Sequence, residues 1–474
     1  MKIKRVIGSL LLSLSLFLFL PLKIEASILL TLKEAIRLSL KNNPEILNSQ
    51  NNLKMANLNL KLAEKNFLSP DVDLTLSPFN LINTQGEKKK TETEMELGGE
   101  VKSSKGCEIK TNYKGNYDYY KEKYTSSYSL QIEQLLFRDS KLTSTYLQLY
   151  KAEIDKEESE LNLKWKEKEI ILSTVEDFLY LHELGNSLRL VKEKIEQEQL
   201  KLEKIKKEVE KGFVGNLDLL ERRIKLEEDK EEFYNLKDEF NLKRYEFLCS
   251  LGLEENNSLL LSQPQILKEK LKKEAERLVE EKFGKEIVLQ NVEVIKAYHK
   301  VDEENIQLKI AKRDQYPDLS LMLGYTSKKV PPEEFKPAEW KAGLNLTYKL
   351  FDSGKGKISE KIAQQSLKEA KRELEEAKDS VQITIYSKKN ELKKAISQLE
   401  LFDLKREKEE LELKLKNKQF ISGIISKEEL RDFQIDREEF ENSYQTTLHD
   451  LLISYISYRK SLGIELNIDE VILK

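Results

Sequence analysis

The chain has 474 residues, 35% of them charged, with only 17 Gly and 9 Pro and a formal net charge of −3. So many Lys and Glu with so few helix breakers is the composition of long helices, and apolar residues recurring at structural periods exclude a disordered chain. Lys and Glu interleave without a basic stripe, which argues against nucleic acid as a partner.

In chain order, the cationic Met1–Arg5, the apolar Val6–Leu22 and a small residue at Ala26 predict a secretory signal peptide over residues 1–26, an N-terminal membrane anchor being the alternative. No Cys follows the cut, so a lipoprotein anchor is not indicated. Cleavage removes four basic residues and one acid, taking the formal charge from −3 to −6. Beyond Leu22 no apolar run reaches the ~20 residues of a membrane helix. The mature chain is therefore expected to be soluble outside the cytoplasm or to enter a membrane as a β-barrel.

A first helix reads from "LTLKEAIRLSLKNNPEI" to Pro70, and alternation then predicts a strand with Val72, Leu74 and Leu76 on one face. Residues 94–113 hold two further alternating pieces, read as an enlarged hairpin or loop whose membership of a barrel is open. Six tyrosines follow between Tyr113 and Tyr128, and a returning strand runs over Tyr128–Leu136. A helix is expected from Asp139 to Lys211, with a 3-4 seam through Leu181, Leu184, Leu188 and Val191, and Glu198 as its one polar entry. It ends at the turn around Gly212 and Gly215. After the turn, Leu219, Leu226, Phe233, Phe240 and Phe247 stand seven apart and predict an antiparallel partner helix.

The pattern then repeats. Gly212 and the pair Leu251-Gly252 recur at an offset of 211 as Gly423 and Leu462-Gly463. "QLLFRDSK" answers "YKLFDSGK", and "SPDVDLTL" answers "YPDLSLML". This divides the mature chain into a first structural repeat (27–253), a linker (254–265) and a second structural repeat (266–474). Each repeat reads helix, β-hairpin, long helix, Gly turn, helix. The long helices, Asp139–Lys211 and Asp352–Ser422, would each span roughly 105–110 Å at about 1.5 Å per residue.

The last strand, Trp340–Leu350, alternates strictly and runs into the second long helix with hardly a loop. Its length suits a tilted transmembrane strand, although a soluble antiparallel sheet alternates equally well. Two hairpins cannot close a barrel and lipid does not tolerate an open edge, so membrane strands would require several subunits to share one barrel.

No catalytic site, cofactor or metal is expected. His182, His299 and His449 stand alone in sequence, and "DSGKGK" lacks the spacing of a phosphate loop, its Gly354 and Gly356 serving a sharp strand-to-helix turn instead. Cys107 and Cys249 are expected to be free thiols.

Together these elements resemble the TolC family of outer-membrane efflux and secretion channels. The residues that carry the resemblance are "LTLKEAIRLSLKNNPEI", "SPDVDLTL", "LLFRDSK", the turns at Gly212 and Gly423, and the duplicated Leu-Gly endings. The resemblance implies a mainly α fold with β: long antiparallel coiled-coil helices, plus two β-hairpins giving four strands to a trimeric twelve-stranded outer-membrane barrel on an α-helical tunnel. It implies a passive exit duct of a tripartite efflux pump or type I secretion system. The chain would then be a homotrimer in outer-membrane lipid, with its helices in the periplasm. A periplasmic adaptor would dock at the tip turns Gly212, Gly215 and Gly423, and an inner-membrane transporter would deliver substrate.

The resemblance also places a pore constriction at Glu429 and Asp432, with secondary tip acids at Asp218 and Glu221. A ring of carboxylates would select cations, but acids in a first helical turn equally suit the helix dipole. Trp340, Leu344, Leu346 and Leu350 are expected to face lipid. The aromatic hydroxyl and Arg that lock the closed tip in family members are replaced here by Phe420 and Ile425, leaving Asp218 without its expected partner. The alternative reading is an exported coiled-coil stalk or adhesin with a small β-head.

Overall fold

The computed structural model describes residues 28–68, 70–82, 90–103, 106–119, 121–136, 143–254, 259–329, 338–466 and 468–472. The signal-peptide reading over 1–26, the centre of the linker at 255–258 and the first strand-to-helix junction at 137–142 lie outside the described residues.

The chain opens with β1 (Ile28–Leu30), α1 (Leu32–Asn42) and α2 (Pro44–Leu68), followed by four strands: β2 (Asp71–Ile82), β3 (Lys90–Lys102), β4 (Cys107–Asp118) and β5 (Lys123–Leu136). Then come α3 (Ser144–Glu210), α4 (Asn216–Ser250) and β6 (Leu259–Leu261). The second half holds α5 (Lys268–Glu280), α6 (Lys285–Leu289), α7 (Val292–Arg313), β7 (Asp318–Lys329), β8 (Glu339–Thr347), α8 (Lys355–Ile421) and α9 (Lys427–Ser461).

The long helices of the two halves match in length, although the first half carries four strands of the large sheet and the second two. α3 and α8 each have 67 residues, and α4 and α9 each have 35. At about 1.5 Å per residue the long helices are ~100 Å long. Each packs against two shorter helices, α3 against α2 and α4, and α8 against α7 and α9. Where α1, α2 and the end of α4 meet, Asn42 donates to the Leu251 carbonyl at 3.1 Å and Asn43 to the Ser250 carbonyl at 3.3 Å. Gly252 sits there at φ +67°, and a Cβ on it would stand 2.7 Å from that of Asn42.

The main core lies at this level, midway along α3 and α8. Phe178, Phe247, Leu251, Leu392, Leu399, Leu451, Tyr455 and Tyr458 are buried in one cluster. Part of the linker is structured, since β6 pairs in parallel with β1, Ile28 opposite Leu259 and Leu30 opposite Leu261.

The strands correct the count of four. Of the two readings of residues 94–113, hairpin or loop, the hairpin holds: they are most of the antiparallel pair β3 and β4. Among the described residues the chain forms a six-stranded antiparallel sheet in the order β2-β3-β4-β5-β7-β8, not two hairpins giving four strands. β2 makes its pairs with β3, and β5 makes its pairs with β4 and β7. Pairing is non-local, and one sequence shows which residues alternate but not which strand lies beside which. β8 also stops at Thr347, so Leu350 lies beyond the strand, in the connection to α8.

Candidate pore tip and two-faced sheet

The two helix turns far from the sheet are built alike. At the first, Gly212 has φ +74°, the Gly212 N–H bonds the Val209 carbonyl at 2.9 Å, and Phe213 N–H bonds the Glu208 carbonyl at 2.9 Å. At the second, Gly423 has φ +71°, bonding Phe420 at 3.0 Å while Ile424 bonds Gln419 at 2.9 Å. These are left-handed C-caps, for which glycine is the low-strain residue. Three residues later the next helix starts, at Gly215 and at Ser426.

The tip acids begin as caps. The Ser426 hydroxyl accepts from Glu429 N–H at 3.1 Å, and Glu429 Oε2 accepts from Ser426 N–H at 3.0 Å, a complete capping box. At the equivalent first-repeat position Asp218 Oδ2 accepts from Gly215 N–H at 3.2 Å. Glu429 and Asp218 therefore satisfy their own helix starts, and Asp218 finds its partner in the backbone. Glu221 is exposed on α4.

Asp432 is held differently. Its carboxylate lies 2.8 Å from Lys201 Nζ on α3. Lys201 also contacts Glu198 at 2.9 Å, and Glu198 bonds Arg222 of α4 at 3.1 Å. Glu198 is 6% exposed; α3 and α4 meet at this buried carboxylate, and Lys201 links it on to Asp432 of α9. Burial raises its pKa, but Lys201 and Arg222 outweigh burial and leave it lowered. Lys201 shows the converse: burial lowers its pKa, yet the carboxylates of Asp432 and Glu198 leave it raised. Further pairs join α3 to α9, with Lys204–Glu428 at 2.8 Å, Arg431–Glu193 at 3.0 Å and Arg189–Glu438 at 3.1 Å. Glu198 was visible in the sequence as the polar entry in an apolar seam. Lys201 stands three residues on along the same helix, so the helical period was signal enough to find it, whereas Arg222 is brought to Glu198 only by the fold.

Farther along the same α3–α9 contact, the histidines that stand alone in sequence meet. His449 is buried with Nδ1 2.6 Å from Glu183 Oε1, and its ring centre is 6.2 Å from that of His182. Burial lowers the His182 pKa, and the neighbouring His449 adds to this. Among the described residues no group of three or more His, Cys, Asp or Glu could hold a metal ion. Cys107 lies in β4 and Cys249 in α4 as free thiols.

At the other end of the molecule, the register sorts the sheet into two faces. Leu74, Leu97, Tyr113 and Tyr128 are successive cross-strand partners, and Leu130, Tyr325 and Trp340 continue the same face across β5, β7 and β8. The opposite face carries Asp73, Glu94, Glu96, Lys110, Asn112 and Lys114. There Asn112 donates to Glu96 at 2.5 Å, Lys110 pairs with Glu108 at 3.1 Å, and Lys114 pairs with Glu94. The predicted residues Trp340, Leu344 and Leu346 lie on the apolar face and are 77%, 67% and 65% exposed. Rings gather toward the loop end of the sheet, Tyr325 and Trp340 at 4.8 Å and Tyr128 and Tyr325 at 6.1 Å.

The passage from sheet to α8 is held by Asp352. Its carboxylate accepts from Gly354 N–H at 2.8 Å and from Gly356 N–H at 2.7 Å, which lowers its pKa. Gly354 has φ +79°, so the glycines do make the sharp turn. On the entering side Arg313 donates to the Tyr316 and Pro317 carbonyls, both at 3.2 Å, and pairs with Asp318 at 3.0 Å.

Paired ~100 Å helices rising from a sheet with one apolar and one charged face give the chain the fold of solved outer-membrane channel proteins. Residues 285–463 match the family model described as outer membrane efflux protein. That match covers 179 of the 474 residues, in the second half of the chain, and agrees with the family resemblance read from the sequence. Among solved structures it is similar to CusC (TM-score 0.64, 13% identity, 92% of each chain covered), described in terms of folding and transmembrane channel formation. It is also similar to the Campylobacter jejuni outer membrane channel CmeC (0.63, 15%, covering 93% of this chain and 87% of that one). The Vibrio cholerae outer membrane protein VceC matches as well (0.62, 12%, covering 92% and 97%). No curated protein matches the chain in sequence.

Proposed function

We propose that this chain is one subunit of a passive exit duct in the bacterial outer membrane, a homotrimer whose helices extend into the periplasm. It serves a tripartite efflux pump or type I secretion system. An inner-membrane transporter supplies substrate and energy through a periplasmic adaptor, and the duct performs no chemistry. The observation that carries this reading is the union, in one chain, of a sheet with one apolar and one charged face and helices ~100 Å long. Such a sheet suits lipid on one side and pore water on the other, and ~100 Å is several times an ordinary domain's width.

The tip supports an adaptor. Phe213, Ile421 and Ile424 are 78%, 84% and 70% exposed around the two Gly turns, an apolar rim at the end of otherwise charged helices. Among the described residues no helix is long and apolar enough to cross a membrane, which leaves the sheet as the described part suited to lipid. An exported stalk with a soluble β-head would need its apolar face covered, whereas β8 is exposed along its whole length.

The test is reconstitution. Mature protein purified in detergent should run as a trimer and give stepwise conductance in planar bilayers. A monomer that stays soluble without detergent and gives no conductance would overturn the reading.

A further inference from the structure

We infer that β3 and β4 cross the membrane with the other four strands, so that three copies close an eighteen-stranded barrel, β8 of each copy pairing with β2 of the next. This rests on the proposed outer-membrane trimer and changes what that trimer encloses.

Four observations carry it. First, β3 and β4 are not an appendage: Glu92–Lys102 pairs with Asp118–Glu108 without interruption, and these two strands are all that joins β2 to β5. Second, their alternation is in phase with the rest of the sheet. Met95 and Leu97 stand opposite Leu76 and Leu74, while Ile109 and Tyr113 stand opposite Ile132 and Tyr128. A flap outside the membrane has no reason to continue the apolar face.

Third, parity permits closure. Six strands, each antiparallel to its neighbour, leave β2 and β8 pointing in opposite directions, so an identical β2 can extend the sheet antiparallel beside β8. Repeating that head-to-tail contact closes a ring with no free edge, the only open-sheet solution that lipid accepts. Fourth, both edges are open in the single chain, and their apolar side chains (Val72, Leu74 and Leu76 on one, Trp340, Leu344 and Leu346 on the other) are all more than half exposed.

The consequence is a wide duct. Barrel diameter grows roughly linearly with strand number, so eighteen strands give about one and a half times the diameter of twelve, in the range where barrels enclose an aqueous channel. The face turned inward carries Glu94, Glu96, Lys110 and Lys114, a hydrated lining suited to polar cargo. The barrel then imposes little size limit, and selection by size falls to the helical tip.

The experiment uses the full mature chain with Cys107→Ser and Cys249→Ser, carrying one new cysteine at a time and reconstituted in phosphatidylcholine vesicles. Leu97→Cys and Tyr113→Cys test β3 and β4. Glu96→Cys and Lys114→Cys test the opposite face, and Leu344→Cys is the reference. Each is labelled with an environment-sensitive fluorophore and quenched either by doxyl lipid or by aqueous iodide. The expected result is that positions 97 and 113 match 344, each quenched several-fold more by doxyl lipid than positions 96 and 114, which iodide reaches instead.

Lipid quenching at 344 with iodide quenching at 97 and 113 would place β3 and β4 outside the membrane and overturn the inference while the channel stands. No lipid quenching at 344 would remove the membrane reading itself. In the same background Leu74→Cys is combined in turn with Trp340→Cys, Ala342→Cys, Leu344→Cys and Leu346→Cys. Oxidation should give, at one register, a cross-linked ladder that ends at three chains. A ladder ending at two or four chains, or no cross-link at any register, overturns the edge pairing.

Discussion

Glu198 carries more of the tip than either residue first assigned to the aperture. It lies in the apolar seam of α3, is almost fully buried, and is compensated only because Lys201 and Arg222 converge on it. Glu198→Gln would leave both cations facing a neutral amide and should cost about 2 kcal/mol of local stability. Asp432→Asn removes a half-exposed pair and should cost only ~0.5 kcal/mol. Hydrogen exchange of the Gly212 and Gly423 turns should rise more in the first variant than in the second.

The pH dependence has a definite sign. The folded pKa of Glu198 lies below its unfolded value, so its contribution is complete above the ordinary Glu value of about 4.3 and lost as pH falls through the lower folded value. Lys201 is raised, so its contribution is complete below about 10.4 and lost as pH rises past that. Protection factors at the tip, with the intrinsic pH dependence of amide exchange divided out, should therefore be flat from about pH 5 to 10 and fall in stronger acid, and that acid limb should shrink in Glu198→Gln. A loss of protection that sets in as pH falls below the ordinary His value of about 6.5 would instead point to His182, whose pKa burial lowers. The sequence showed the polar intrusion at 198 but not the groups that other helices bring there. Arg222 reaches Glu198 by a Gly turn, and Asp432 reaches Lys201 from the other repeat, and neither approach has a local signal.

At the scale of elements, helices were the most legible because their signals are local. The 3-4 seam, the Gly caps and the 211-residue offset predicted α3, α4, α8 and α9 to within a few residues. β2, β5, β7 and β8 were legible from alternation. β3 and β4 alternate too, but Gly98-Gly99 and the turn around Gly106 break the pattern into pieces that look like a loop. In the sheet Gly99, Gly106 and, farther along β4, Gly115 have close neighbours. A Cβ on Gly99 would stand 2.8 Å from Thr111 Cγ2, and Tyr124 lies across Gly115, its hydroxyl 2.5 Å from where a Cβ would be. An aromatic ring covering a strand glycine is a sheet-building device, not loop behaviour.

The faces themselves are open to test. Leu344→Arg should destabilise the folded barrel by roughly 2–4 kcal/mol if the position lies near the bilayer midplane, whereas Asn345→Arg on the opposite face should cost much less. The heat resistance of the oligomer on electrophoresis reads the difference. Equal effects at both positions would mean that the two faces do not see different solvents.

Over the whole molecule, the ion pairs between α3 and α9 tie the first repeat to the second along the stretch leading to the tip. We propose that this contact holds the tip closed, which gives Asp432 two roles that substitutions can separate. As part of a carboxylate ring in a trimer, Asp432 would draw cations toward the pore; as the partner of Lys201, it would hold α9 against α3. Neutralising Asp432 and Glu429 together removes both the ring and the pair. The double variant should open more often in planar bilayers and also lose cation preference. Lys201→Met breaks the same pair but removes a positive charge, so it should raise open probability while leaving cation preference intact or stronger. If Lys201→Met opens no more often than the parent, the α3–α9 contact is not what holds the tip closed. If the double acid variant keeps its ion preference, Glu429 and Asp432 do not face the pore, and their capping and pairing within the chain account for them fully.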